Sequence, residues 1–194
     1  MSNYKWTITD IASLLTEGKM GIFPCDTIWG IVGLANSDSA HLIRAAKGRT
    51  ENKGFITLIP DLSFLDQFVA YISPSAQQLI DQYWPGPLTL IFDKHPSVDP
   101  ALTGGRASIA IRYPRYKPLN DLLSHIQKPL ISTSATLSPN PTLYNLGDIP
   151  DSLTSLMSFI YQDYLPPLDQ ESTIVDTTKS PPLIVRQGIL HLPD

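Results

Sequence analysis

The sequence predicts an α/β protein built on one twisted mixed sheet flanked by helices. Two observations carry this prediction. Short apolar runs with strand character are interspersed with segments of helical spacing, but without a strict strand–helix repeat. Some strand-like runs also follow one another directly, such as Met20 to Pro24 and Trp29 to Leu34, so antiparallel pairs are expected beside parallel ones.

The elements follow in chain order. Ile8, Ile11, Leu14 and Leu15 have helical spacing, and Gly18 is placed to end that helix. After the two strands, "NSDSAHLIRAAKGR" opens with capping residues and continues as a helix into Lys47. "GFITLIP" reads as a buried strand, followed by helices around Leu62 to Ala70 and Ser75 to Tyr83, before "WPGP" breaks the pattern. "LTLIFD" and "ASIAIRYP" read as strands, and in the second Ser108, Ala110 and Arg112 share one face. A helix near Pro118 to Ile126 leads into the strand "PLISTS", and the Pro- and Asn-rich "LSPNPTLYNLGDIPD" reads as loop. "STIVD" and "LIVRQG" are the last strands.

Length and composition bound the class. The chain of 194 residues reads as one domain over 1–194, with an apolar fraction of 42% and a charged fraction of 16%, as expected of a packed core. No apolar run approaches the ~20 residues that span a bilayer. The N-terminus lacks a basic region leading into an apolar one, and a single cysteine excludes an internal disulfide, so a cytoplasmic protein without a membrane partner is expected. The net charge of −4 gives no global nucleic-acid footprint. The few cations nevertheless crowd into Arg44, Lys47, Arg49 and Lys53 and into Arg106, Arg112, Arg115 and Lys117, read either as an anion pocket or as two solvated basic faces.

Several chemistries lack their motif. Neither a GxxxxGK[ST] loop nor a GxGxxG turn is present. His41, His95, His125 and His191 lie far apart without metal-ligand spacing. Cys25 reads as a small residue filling a strand end rather than a nucleophile.

What the sequence does hold is an ordered set: "FPCDTIWG", "KGRTENKG", "WPGPLTLIF", "SIAIRYP", "ISTSAT", "STIVD" and "VRQG". In this order and spacing, over about residues 10–188, they resemble the YrdC-like family. Its pattern runs P-[TS]-[DE]-[TS]-x-[YFW]-G, K-x-R, W-P-G-P-x-T, R-x-P, S-T-S-A-N and a late R-x-G. The length resembles the single-domain form of the family. The resemblance implies a twisted α/β sheet with helices around a concave basic cavity. It also implies a reaction that joins L-threonine, bicarbonate or CO2, and ATP into L-threonylcarbamoyladenylate with release of pyrophosphate. Mg²⁺ is expected with the ATP. Downstream tRNA-modification proteins would accept the adenylate, and a weak contact with RNA is compatible with it.

The resemblance also implies roles. Lys47 and Arg49 are the expected catalytic cations, and with Lys53 they are expected to face the triphosphate and the carboxylated threonine; alanine at Lys47 or Arg49 is expected to reduce adenylate formation sharply with the fold intact. Thr27, Arg112, Ser132 and Ser172 would hold threonine and bicarbonate, with Trp29 walling the pocket and Asp26 orienting its neighbours. Ser108, Ser134, Thr136 and Arg186 would contact the nucleotide, and Thr173 is a weaker carry-over. Thr136 stands where the family usually has Asn, "LSPNP" replaces a Ser-Gly turn, and Cys25 replaces Thr or Ser. These departures keep open a nucleotide-binding paralogue with the same fold and another substrate; a non-catalytic RNA-binding paralogue and a Cys25-dependent hydrolase are separate competing readings.

Overall fold

Thr7 opens the first helix, α1 (Ile8–Thr16). Its hydroxyl accepts from the Asp10 amide while the Asp10 carboxylate accepts from the Thr7 amide, a reciprocal cap. The computed structural model describes residues 5–48, 53–137, 145–162, 168 and 170–193. Next comes a hairpin of β1 (Gly21–Cys25) and β2 (Ile28–Leu34), then α2 (Ser37–Ala46), whose cap is the Asn36 side chain accepting from the Ser39 amide. Strand β3 (Ile56–Leu58) precedes a 3₁₀ turn at Leu62–Phe64, α3 (Leu65–Phe68) and α4 (Pro74–Tyr83). Then follow β4 (Leu88–Asp93), α5 (Pro100–Thr103), β5 (Ser108–Arg112), α6 (Lys117–Ile126) and β6 (Leu130–Ser134). The chain continues through a 3₁₀ turn at Leu146–Asp148, α7 (Asp151–Thr154), β7 (Phe159–Ile160), β8 (Thr173–Asp176) and β9 (Leu183–Arg186).

The described strands form one sheet in the order β7-β1-β2-β6-β3-β5-β4-β8-β9. The β1/β7, β3/β5 and β4/β8 pairs are parallel and the rest antiparallel. The mixed sheet expected from the sequential strands is therefore present. The apolar runs of β1 and β2 are continuous because both faces of the sheet are covered. Ile22 and Ile31 face a layer that includes Ile43, Ile80 and Leu90, whereas Phe23 and Val32 face one made with Ile11 and Leu15 of α1 and Leu119, Leu122 and Leu123 of α6.

Four features differ from the sequence reading. Leu62–Ala70 is a 3₁₀ turn followed by a four-residue helix, since Asp61 caps a tight turn by accepting from the Ser63 amide. The loop expected over "LSPNPTLYNLGDIPD" lies in part outside the described residues (138–144), and its end forms the second 3₁₀ turn and the start of α7. Helix α5 and strand β7 were not anticipated. At four and two residues they are too short for any period to register, and β7 owes its place to parallel pairing of Phe159 with Gly21 and of Ile160 with Ile22.

Candidate functional site

The hairpin joining β1 to β2 has a two-residue turn, Asp26–Thr27, closed by the Cys25–Ile28 pair. Asp26 adopts φ 53°, a left-handed conformation that Asp tolerates better than most residues. The turn is held from across the sheet by Arg112, at the end of β5. One guanidinium nitrogen, Nη1, donates to Thr27 Oγ1 at 3.1 Å; the other, Nη2, donates to the Cys25 carbonyl at 3.0 Å and pairs with Asp26 Oδ1 at 3.0 Å. All four residues are buried, and the remaining donor, Arg112 Nε, is buried without a partner. Burial pushes the Asp26 carboxyl above its ordinary value, and the guanidinium beside it pulls the other way.

Beside this turn is a cavity of about 430 Å³. Its lining takes Thr27 from the turn, Lys53 from the segment before β3, Arg106 and Arg112 from β5 and its approach, Ser132 and Ser134 from β6, and Glu171, Ser172 and Arg186 from the β8–β9 side. The period of two places Ser132 and Ser134 on one side of β6, and their pairing with Val32 and Gly30 sets them next to the hairpin. A Cβ on Gly30 would stand 2.7 Å from both Cys25 Sγ and Ser132 Oγ, so glycine is what lets these two groups meet at 3.4 Å. On the far side, Arg186 Nε donates to the Ser172 carbonyl at 3.0 Å, Nη2 donates to Ser172 Oγ at 3.1 Å, and Nη1 pairs with Glu171 Oε2 at 3.0 Å. Ser172 Oγ meets Thr89 Oγ1 at 2.9 Å.

The residues picked out from the sequence therefore divide. Thr27, Lys53, Arg112, Ser132, Ser134, Ser172 and Arg186 converge on the cavity. Arg49 lies outside the described residues. Lys47 is fully buried: its ammonium donates to the Ser134 carbonyl and approaches the hydroxyls of Ser134 (3.4 Å) and Thr133 (3.5 Å), so it seats the end of β6 rather than lining the space. Thr136 is buried one step further back, its hydroxyl 3.1 Å from that of Ser134. Ser108 is at the opposite end of β5 from Arg112 and is not part of the lining. Trp29 packs in an apolar layer, and Thr173 bonds the Leu190 carbonyl.

The clustered cations divide too. Arg44 lies 4.8 Å over the Phe55 ring and donates to the Ala101 carbonyl, and Lys117 pairs with Asp121 on α6. Cys25 is buried, and burial pushes its thiol up to about 11, so it offers no thiolate at neutral pH. Among the described residues, no cluster of His, Cys, Asp and Glu stands together to hold a metal. Sequence reasoning missed Arg106 and Glu171 as lining residues. Arg106 belonged to a visible cation cluster, whereas nothing around Glu171 marked it.

The arrangement suits an anionic ligand that also presents hydrogen-bonding groups. It offers guanidinium forks, a lysine and five hydroxyl-bearing residues from five separate segments, and no activated nucleophile.

Residues 13–188 match the Sua5/YciO/YrdC family model, described as Telomere recombination. A threonylcarbamoyl-AMP synthase of Pyrococcus abyssi is 30% identical over 189 residues, 97% of this chain and 56% of that protein. One of Bacillus subtilis is 30% identical over 183 residues, 93% of this chain and 53% of that protein. The chain thus spans about half the length of these relatives. The crystal structure of P. abyssi Sua5 complexed with L-threonine matches with a TM-score of 0.88 at 28% identity, over 97% of this chain and 56% of that one.

Proposed function

The chain belongs to the Sua5/YciO/YrdC family, and on that premise we propose that it is a threonylcarbamoyl-AMP synthase. It condenses L-threonine, bicarbonate or CO2, and ATP to L-threonylcarbamoyladenylate and pyrophosphate. The observation that carries this reading is the Arg112–Thr27 contact at a cavity rich in cations and hydroxyls, in a fold shared with a relative that binds L-threonine. Three anionic or zwitterionic reactants have to be held together, and that demands fixed cationic donors more than a nucleophile.

The neutral threonine amine attacks the carbon of CO2 and loses one proton to water, or attacks bicarbonate, whose hydroxyl takes that proton as its bond to carbon breaks and leaves as water; either route gives the carbamate. A carbamate oxygen then attacks the α-phosphorus, and the bond to the β-phosphate oxygen breaks. Arg112, Thr27, Ser132 and Ser172 hold the amino acid and its carboxylated form. Lys53, Arg186 and Ser134 face the nucleotide, with Arg49 and Ser108 assigned there from the motifs. Lys47 and Thr136 act through Ser134, which they contact. Mg²⁺ enters with the triphosphate as substrate, ligated by phosphate oxygens and water. The adenylate passes to proteins that modify tRNA, in the cytoplasm, where ATP and tRNA meet. Among the described residues no helix is long and apolar enough to cross a membrane.

The test is pyrophosphate release from ATP and bicarbonate, with and without L-threonine. Release that requires threonine and fails with serine or alanine is expected. No release, or release indifferent to threonine, overturns the assignment. Salt-sensitive RNA binding that needs neither ATP nor threonine would instead indicate an RNA-binding module.

A further inference from the structure

We propose that Arg106, which lies outside every motif of the sequence, is a phosphate-contact residue of the cavity, acting beside Lys53 on the outer phosphates of the nucleotide. The inference rests on the synthase reading above and names one more residue for it. Charge bookkeeping singles Arg106 out. Arg112 is set against Asp26 and Arg186 against Glu171, each at 3.0 Å, so much of their charge is already answered within the protein. Arg106 has no carboxylate partner among the described residues, yet it lines the same cavity and is exposed. A polyanion approaching the mouth therefore meets an uncompensated guanidinium there.

Arg106 also sits on a built turn, not on a loose loop. The Phe55 amide donates to the Leu102 carbonyl at 3.0 Å, which ties the segment carrying Lys53 to the one leading to Arg106. A Cβ on Gly54 would stand 3.0 Å from the Thr103 carbonyl oxygen, so the two backbones run in close contact because residue 54 is glycine. Gly104 and Gly105 then turn the chain with φ of 64° and 78°, and Thr103 Oγ1 donates to the Arg106 carbonyl at 3.1 Å. Lys53 and Arg106 thus reach the cavity from two clamped neighbouring segments. A point charge beside a planar fork is a pairing suited to successive phosphate groups. At the exposed mouth those are the β- and γ-phosphates, on which negative charge grows as the α-phosphorus–oxygen bond breaks and pyrophosphate leaves.

The experiment is calorimetric titration of the full chain with inorganic tripolyphosphate, ATP and L-threonine. It compares wild type, Arg106→Ala, Arg106→Lys and, as a charge control, Lys128→Ala, an exposed cation of the turn before β6. The Arg106→Ala variant is expected to bind tripolyphosphate and ATP about tenfold more weakly, as for loss of one charge-assisted contact, with threonine binding unchanged. Arg106→Lys recovers part of the deficit, and Lys128→Ala binds as wild type does. The deficit shrinks from about 0.01 M to about 1 M salt, where the screening length falls from about 30 Å to about 3 Å. Equal binding by wild type and Arg106→Ala overturns the proposal, as does a Lys128→Ala loss matching that of Arg106→Ala. A loss for ATP but not for tripolyphosphate overturns the phosphate assignment. If wild type binds neither polyphosphate, the synthase reading itself fails, and this proposal fails with it.

Discussion

Asp26 and Arg112 form an ion pair at 3.0 Å with side chains only 4% and 3% exposed, and the same guanidinium carries Thr27 and the Cys25 carbonyl. One side chain from β5 therefore fixes the charge, conformation and hydroxyl orientation of the hairpin turn. Removing it leaves a buried carboxylate and a released turn. Arg112→Ala is expected to lower unfolding free energy in urea by about 3–5 kcal/mol, as for a broken buried pair. Adding Asp26→Asn should recover part of that loss, because no charge is then stranded. Arg112→Lys keeps a charge but cannot span three acceptors, so threonine affinity should fall more than stability. An Arg112→Ala protein within about 1 kcal/mol of wild type would remove the pair as the anchor of the turn.

Cys25 yields a pH dependence of definite sign. Its thiol is pushed from 9.0 to about 11 by burial, so the folded chain holds this proton where the unfolded chain has released it. The unfolded state then binds fewer protons, and stability falls as pH rises from about 9 to about 11, by up to about 1.4 kcal/mol per unit. Below pH 9 the contribution is fully present. Melting temperature against pH should therefore slope less steeply over that window in Cys25→Ala than in wild type. Parallel slopes would show that the thiol does not titrate with folding.

The hairpin was legible because its apolar runs are long and interrupted once, and the face of Ser132 and Ser134 was legible because a strand has period two. What the sequence does not show is which groups meet across the sheet. Lys47 reads as a helix-terminal cation, and as the C-cap of α2 it is one; only the neighbouring β6 explains why its ammonium lies on the Ser134 carbonyl, out of solvent. Likewise nothing near Asp26 announces Arg112, and nothing near Ser172 announces that Glu171 answers Arg186. Thr136 reads as a departure from the family pattern, and its contact with Ser134 becomes visible only once the strand end has folded. Pairings that are distant along the chain carry no local period.

Gly188 and Gly30 differ in what an added methyl would strike. At Gly188 a Cβ meets the Glu171 oxygen at 2.3 Å, the Ser172 carbonyl carbon at 2.4 Å and the Thr173 nitrogen at 2.5 Å, all backbone. At Gly30 it meets two side-chain atoms at 2.7 Å, Cys25 Sγ and Ser132 Oγ, which can turn aside. Gly188→Ala is expected to cost about 3 kcal/mol or more, at the upper end of overpacking. It should also displace Arg186 from Ser172 and raise KM for ATP. Gly30→Ala should cost about 1–3 kcal/mol and act on threonine binding through Ser132. Urea unfolding and substrate titrations of the two variants separate these outcomes; equal losses in both would mean that the Gly188 backbone can give way.

Lys47 brings stability and activity together. The sequence reading expects alanine there to reduce adenylate formation sharply with the fold intact, but the ammonium is buried and holds the end of β6. Lys47→Met keeps much of the apolar stem and removes the charged donor to the Ser134 carbonyl. The loss should be about 1–3 kcal/mol in urea unfolding, the cost of a buried acceptor deprived of its donor. If Lys47 acts on the nucleotide through Ser134, Lys47→Met and Ser134→Ala should each raise KM for ATP, and the double variant should be little worse than the more damaging single one. Additive effects on KM would instead mean that Lys47 reaches the phosphates itself, after leaving the strand end it occupies here.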